Sequence, residues 1–458
     1  MKKLRFLFAL LSAKLSILAL KILSRNASYL PGKIALAIDS GFIGRLTPPK
    51  TVIAVTGTNG KTTVSNLITS ILRQNGYSVT NNDLGSNVQA GIATILLQDS
   101  TITGKAKNDV AVLEVDERSS LRIYPYLKPD YLVCNNIMRD SLKRNAHTEF
   151  ISYIINSALP ENTTLVLNAD DMICASLGPK NAKRVYFGVD ALHPESADPQ
   201  YVQDIVYCPQ CGEKLAAEYL RYNHIGRMHC TGCSFCSPAP DFLVTDIDSE
   251  KQTFTVLHNG EERKYRLIND NIVNVYNFCG AIALLTTFGL GYEQIFAGFE
   301  SSKIVKSRFD QLTSGDLTIT MQLAKGQNPI ACARCYSYVS KCAGDNKGLI
   351  IMVDDKGDNT NNSESTCWLY DCDYRYLTDP SIHQIVFAGP RCKDQLLRAQ
   401  LAGVPAEKIK LTEDPTKGAD LLDHSICKNI YVLYDPYLLK EADTVKNRLI
   451  TAGTEEAK

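Results

Sequence analysis

The fold is decided by TVIAVTGTNGKTTVS, Thr51 to Ser65. Val52–Val55 is a short apolar run rich in β-branched residues, the composition of a buried strand. Gly57, Thr58, Asn59 and Gly60 follow at once, and Val64, Leu67, Ile68 and Ile71 then recur at helical spacing. Strand, glycine loop and helix start in this order make a phosphate-binding site, because glycines let amide N–H groups close around phosphate oxygens at the positive end of a helix. The full phosphate-loop spelling carries another glycine five positions before the last one. Here that position is Val55, inside the strand, so the loop is a shortened variant. Thr58, Asn59, Gly60, Lys61, Thr62 and Thr63 are assigned to phosphate, with Lys61 as a point charge and the Thr62 hydroxyl as a Mg²⁺ ligand. The competing interpretation is an ordinary strand-to-helix turn with a chance lysine.

At 458 residues the chain exceeds one hydrophobic core, and two or three domains are expected. Lys+Arg and Asp+Glu both number 49, so no net charge draws the whole chain to nucleic acid or membrane. Any such binding is local. The 15 cysteines include two spaced pairs and otherwise lie mostly singly, which suits a reducing cytoplasm with one metal site.

Lys2, Lys3 and Arg5 precede the apolar run Phe6–Ala13, but Lys14 ends it too early for a signal peptide. On a helical wheel Lys3, Lys14, Lys21 and Arg25 share one face and Leu, Ile and Ala fill the rest. Two readings stay open: an amphipathic helix resting on a membrane surface, at the inner face of the cell membrane, or a helix packed on its own domain. No later segment is long and apolar enough to span a bilayer.

Beyond the loop, helix and strand alternate. Strands are expected near Tyr77–Thr80 and over Asp109–Val115, Tyr131–Asn135 and Thr164–Asn168, with helices to about Arg73, through Ala90–Leu97 and from about Thr148 to Leu159. This is the pattern of an α/β, doubly wound parallel sheet, whose ligands sit at the carboxyl ends of the strands. Glu114 ends one such strand and is the candidate for a second Mg²⁺ ligand; the alternative is a solvated strand end.

Between Tyr207 and Asp241 the alternation breaks. Cys208 and Cys211 form one C-x₂-C pair, and Cys230 and Cys233 form another after eighteen intervening residues. That spacing fits a closed, structural four-cysteine zinc ribbon, inserted over about residues 205–241. Cys236 is a spare able to replace Cys233, and His224 and His229 are weaker candidates. Asn274-Val-Tyr-Asn277 then opens a helix to about Phe288, and strands at Leu349–Val353, Ile385–Ala388, Lys408–Leu411 and Ile430–Leu433 mark another α/β domain. The expected organisation is an N-terminal helix and linker over 1–50, a central ATP-binding domain over 51–304 and a C-terminal domain over 305–458.

GTNGKTT, the EVDE strand end, the NADD turn, the NVYN helix start and Arg308 stand in the order of the central and C-terminal domains of the Mur ligase superfamily, which the chain resembles. Within it the resemblance is to the MurT family, ligase-like subunits of lipid II isoglutaminyl synthase. PGKIALAID, the CPQCG…YNHIG…CTGC ribbon and STCWLYD carry that resemblance, which covers nearly the whole chain. It implies ATP-dependent amidation of the D-glutamate α-carboxylate of the lipid II stem peptide through an acyl phosphate, with ATP, Mg²⁺ and Zn²⁺ bound and ammonia supplied by a GatD-type glutaminase. By the same resemblance Asn274 contacts adenine, Arg308 contacts phosphate, and Lys325 and Asn328 match a LAKNP segment with two residues inserted. For Arg308 the alternative is a surface salt bridge, and for Asn274 a plain helix N-cap.

The family also lends its partner the acidic member of a nucleophilic triad. Ser365 stands where that Asp is expected. Glu364 from a shifted loop, or Asp358, is the replacement, unless the glutaminase works without this help. Further departures are Lys143 in RDSLKR, Ser307 before Arg308 and Leu438 in DPYL. Two other functions fit parts of the sequence: a stand-alone Mur or folylpolyglutamate-type ligase, against which the ribbon argues, and a non-catalytic nucleotide-binding scaffold. Nucleic acid is disfavoured because the ribbon carries only Lys214, Arg221 and Arg227.

Overall fold

Strand β1, Thr51–Thr56, is buried at five of its six positions, because parallel neighbours flank it on both edges. The computed structural model describes residues 2–83, 86–140, 147–192, 202–269, 271–302, 309–324, 328–355 and 366–456. They form two compact units, residues 1–138, 147–198 and 204–304 in one, and 139–146, 199–203 and 305–458 in the other.

The first unit is built on a nine-stranded sheet. Its strands are β1, β2 (Val79–Asn81), β3 (Val110–Glu114), β4 (Tyr131–Cys134), β5 (Thr164–Asn168), β6 (Arg184–Val189), β9 (Phe242–Asp248), β10 (Thr253–His258) and β11 (Glu261–Arg266), with β7 (Leu215–Tyr222) and β8 (Ile225–Cys230) forming a separate hairpin. The order is β11-β10-β9-β6-β5-β4-β1-β3-β2. Pairing is parallel from β2 to β9, but β9-β10 and β10-β11 are antiparallel, so the sheet is mixed rather than purely parallel. The reason is local: β9 and β10 are joined by only the four residues 249–252, and β10 and β11 by Asn259 and Gly260, both at positive φ, connections too short for a crossover helix.

The N-terminal segment packs on the same core. Helix α1 (Lys2–Ile22) lies against α2 (Leu30–Ile38) and α4 (Gln89–Gln98), and Ala9, Leu10 and Ala13 are buried with Ala35, Phe42 and Ala93. Contact is close enough that a Cβ on Gly32 would sit 1.9 Å from the Ala90 carbonyl oxygen. Lys14 Nζ donates to the carbonyls of Leu97 at 3.1 Å and Ser100 at 2.9 Å, where the dipole of α4 ends negative. Its partial burial, with help from Lys107, pushes the ammonium below its usual range.

The second unit carries a six-stranded sheet of β12 (Phe309–Ser314), β13 (Leu317–Leu323), β14 (Lys347–Met352), β15 (Ile382–Ala388), β16 (Ile409–Thr412) and β17 (Asn429–Tyr434), ordered β12-β13-β17-β14-β15-β16. Only β12 is antiparallel.

Candidate active site and four-cysteine hairpin

The parallel register places Val55 of β1 opposite Glu114 of β3 and Val133 of β4, so the carboxyl ends of all three strands meet the glycine loop. Helix α3, Lys61–Gln74, starts at the loop's end. Gly57 and Gly60 have φ of +121° and +88°, and a Cβ at Gly60 would fall 2.1 Å from Asn277 Oδ1. Both positions therefore require glycine.

Thr62 Oγ1 donates to Glu114 Oε2 at 2.6 Å, and Asn87 Nδ2 donates to the other carboxylate oxygen at 2.8 Å. The Asn82 side chain exchanges two hydrogen bonds with the Glu114 backbone. Thr62 and Glu114 thus present two hard oxygen ligands beside the loop, the donor set a Mg²⁺ ion takes.

Lys61 Nζ pairs with Glu117 Oε1 at 3.0 Å and donates to the Gly57 carbonyl at 2.5 Å. Burial works against its charge, but Glu117, supported by Glu114 and Asp116, more than offsets it and holds the ammonium above its usual range. Sequence reasoning missed Glu117. In EVDE the three acids divide: Glu114 faces Thr62, Asp116 caps the turn by accepting from the Arg118 and Ser119 amides, and Glu117 pairs with Lys61.

At Thr58 the structure departs from a phosphate role for the side chain. Its hydroxyl donates to the Met138 carbonyl and accepts from the Met138 amide, and its own amide donates to Asn136. The Asn59 amide is likewise held by Asn136 Oδ1 at 2.9 Å. Thr58 and Asn59 are struts of the loop, while the amides of the first turn of α3, which have no intrahelical acceptor, are the groups free to meet an anion.

Helix Ile272–Phe288 is capped by Asn271, whose side chain accepts from the Val273 amide, so Asn274 is not the N-cap. Asn274 accepts from Asn277 Nδ2 at 3.3 Å, and Asn277 is the side chain against Gly60. Asn277 Oδ1 and Asn135 Oδ1 are buried beside the loop without a hydrogen-bond partner. Unpartnered acceptors at that depth mark a place where a ligand donor or ordered water belongs.

Arg308, Lys325, Asp358, Glu364 and Ser365 lie outside the described residues. Asn328 is described and caps helix Pro329–Lys341 through the Ala331 amide at 2.9 Å.

Cys208, Cys211, Cys230 and Cys233 bring four sulfurs within 4.8 Å of one another, with Cys208–Cys233 at 3.6 Å and Cys211–Cys230 at 3.4 Å. A tetrahedron with metal–sulfur bonds of about 2.3 Å has edges of about 3.8 Å, so the four thiols fit one metal ion. Burial resists ionisation of Cys208, yet the Cys211 and Gln210 amides aimed at its sulfur bring it down to about 7. Cys236 is outside the cluster and exposed. His224 is occupied elsewhere: its Nε2 lies 3.1 Å from Asp171 and its Nδ1 3.6 Å from Asp204. Burial alone would neutralise the ring, but Asp171 and then Asp204 raise it to about 10. His229 is an exposed neighbour of Glu218.

The hairpin β7–β8 is fastened to the sheet by the turn after β5. Asp170 accepts from Tyr276 at 2.6 Å and from the Val189 amide at 3.0 Å, and pairs with Arg221 at 3.2 Å. Asp171 accepts from the Ile137 amide at 2.7 Å in addition to holding His224. Ile137 precedes Met138, the residue bonded to Thr58, so loop and hairpin are braced against the same segment.

A family profile for the Mur ligase middle domain matches residues 55–285, and one for the MurT ligase C-terminal domain matches residues 325–436. The chain is 30% identical to the lipid II isoglutaminyl synthase (glutamine-hydrolyzing) subunit MurT of Staphylococcus aureus, over 86% of this chain and 87% of the relative. It is also 30% identical to the subunit of the same name from Streptococcus pneumoniae, over 90% and 91%. Among solved structures, a pseudomurein peptide ligase type C from Methanothermus fervidus superposes with a TM-score of 0.63 at 21% identity, covering 92% of this chain and 81% of that one, which is a likeness of fold.

Proposed function

The chain belongs to the MurT family of Mur ligases, and from that premise we propose that it is the ligase subunit of a lipid II isoglutaminyl synthase, amidating the D-glutamate α-carboxylate with ammonia from a GatD-type glutaminase. The observation that carries the reading is the pairing of Thr62 with Glu114 at the head of a loop whose lysine is charged and fixed. A carboxylate resists attack by ammonia because oxide is a poor leaving group. Transfer of the γ-phosphoryl group to a carboxylate oxygen, with ADP leaving, gives an acyl phosphate. Ammonia then forms the C–N bond as the C–O bond to phosphate breaks.

Lys61 balances charge on the transferring phosphoryl group, and the α3 amides orient it. Thr62 and Glu114 are the residues to hold Mg²⁺, which supplies Lewis-acid stabilisation of the phosphate oxygens when bound. The four cysteines are assigned to Zn²⁺ in a closed, structural site. Asn274 is assigned to the adenine and Arg308 to phosphate. Glu364, or Asp358, is proposed to orient and charge-stabilise the catalytic His of the partner.

Co-expression with a GatD-type glutaminase, followed by incubation with lipid II, glutamine and Mg-ATP, tests this. Conversion of the stem glutamate to isoglutamine is expected, with ATP consumed only when the muropeptide is present. ATP turnover indifferent to the muropeptide would contradict it. Glu364→Gln is expected to abolish glutamine-driven but not ammonia-driven amidation; full glutamine-driven activity would exclude Glu364 and leave Asp358, or a glutaminase that works without this help.

A further inference from the structure

Helix α1 has two apolar faces, and among the described residues its own unit covers one of them. Ala9, Leu10 and Ala13 face inward to the core with Phe6 and Ile17 beside them. Around the opposite side run Leu4, Leu11, Leu15, Leu18 and Ile22, which are 76%, 56%, 65%, 56% and 74% exposed, with Phe8 at 64%. No charged residue interrupts that stripe. A helix of 21 residues is roughly 30 Å long, so the bare stripe extends the length of a small domain. Tyr29 and Leu30, at the start of α2, are also exposed.

The charge around the stripe has one sign. Lys3, Arg5, Lys21 and Arg25 are exposed on or just beyond α1, and the chain contains no acidic residue before Asp39. In a chain with equal numbers of acidic and basic residues, that segregation is marked. Lys14 is turned inward to the carbonyls at the end of α4, and Arg5 Nε donates to the Ile38 carbonyl. No described helix is long and apolar enough to cross a membrane.

We propose that the outer face of α1 docks on an anionic lipid bilayer, with Leu4, Leu11, Leu15, Leu18 and Ile22 entering the headgroup–acyl boundary and Lys3, Lys21 and Arg25 meeting lipid phosphates. A helix lying in the interface needs one uncharged face and a basic flank. A protein partner would have to offer an apolar trough of that length rimmed only by acids, whereas a bilayer supplies both at every lateral position. The docking surface stands independently of the nucleotide site.

Flotation of the full-length chain with phosphatidylglycerol vesicles and with phosphatidylcholine vesicles tests the assignment. The chain is expected to float with the anionic vesicles and, because headgroup charge contributes, at least about tenfold less with the zwitterionic ones. Leu11→Ser/Leu15→Ser/Leu18→Ser is expected to weaken partitioning by about a hundredfold with an unchanged melting temperature, since these side chains are outside the core. Lys21→Glu/Arg25→Glu, which leaves the apolar stripe intact, is expected to weaken it by on the order of tenfold and to reduce its salt sensitivity. Three results would overturn the proposal: wild type that stays with the soluble fraction, variants that float like wild type, or a self-associated wild type that the serine variant converts to monomer without any vesicle binding. Mg-ATP binding by the same preparations separates failure here from failure of the ligase reading.

Discussion

The glycine loop and the four-cysteine hairpin are braced on the same short segment, Ile137 and Met138, yet their polar groups are arranged oppositely. At one end of the hairpin four sulfurs face one another, and at its turn His224 and the aspartates it meets are paired inward. At the loop, Thr62 and Thr63 are exposed, helix amides point outward, and Asn135 and Asn277 keep unpartnered acceptors. A closed donor set holds one ion permanently; an open one exchanges ligands. On the proposed function the hairpin would act on stability and the loop on turnover, and each substitution below asks whether that division holds.

The largest effect is expected at Lys61. Lys61→Met removes the charge from the loop and takes from buried Glu117 the cation it pairs with. Ligase turnover should fall on the order of a thousandfold, and urea unfolding should show a stability loss of about 3–5 kcal/mol. If turnover falls without any loss of stability, the Lys61–Glu117 pair is not the brace described here.

His224→Gln should leave nucleotide affinity near wild type while costing about 3–5 kcal/mol at pH 6, because Asp171 and Asp204 lose the cation between them. The folded-state value of about 10 lies above the ordinary 6.5. The contribution of His224 is then complete below about pH 6.5, declines as pH rises, and is gone above about 10. The gap between wild type and variant should narrow over that window. A gap that widens with pH would show the ring is neutral when folded.

Stripping the metal with a chelator, or Cys208→Ser, should lower the melting temperature by on the order of 5–10 °C and release one zinc per chain. A loss of nucleotide binding with unchanged melting would reverse the roles assigned to the two regions.

The smallest effect separates two asparagines three residues apart. Asn271→Ala should cost about 1 kcal/mol through the lost N-cap, with ATP affinity retained. Asn274→Ala should do the reverse. Equal effects on stability would remove Asn274 from the nucleotide site.

What the sequence made legible was local. GTNGKTT and the two C-x₂-C pairs carry their chemistry within a few residues, and the β1 and β3 runs are apolar enough to identify as buried strands. Glu117, Asn87 and Asn136 were not legible, because each acquires its role from a strand or loop distant in sequence. His224 looked like a spare metal ligand because its partners, Asp171 and Asp204, are 53 and 20 residues away. The antiparallel edge carried a readable signal in Asn259-Gly260 that the expectation of a parallel sheet overrode. For α1 both packing and membrane contact were open from sequence. The helix is apolar on two sides, so periodicity alone did not say which side the core takes.

Calorimetric titration of the purified chain with ATP asks whether the loop holds Mg-ATP through Thr62, Glu114 and Lys61. Wild type is expected to bind saturably and only with Mg²⁺, and Glu114→Gln to lose that requirement along with most of its affinity. A wild-type chain that fails to retain Mg-ATP, alone and with the proposed glutaminase, or a Glu114→Gln chain that binds it as wild type does, would overturn the assignment.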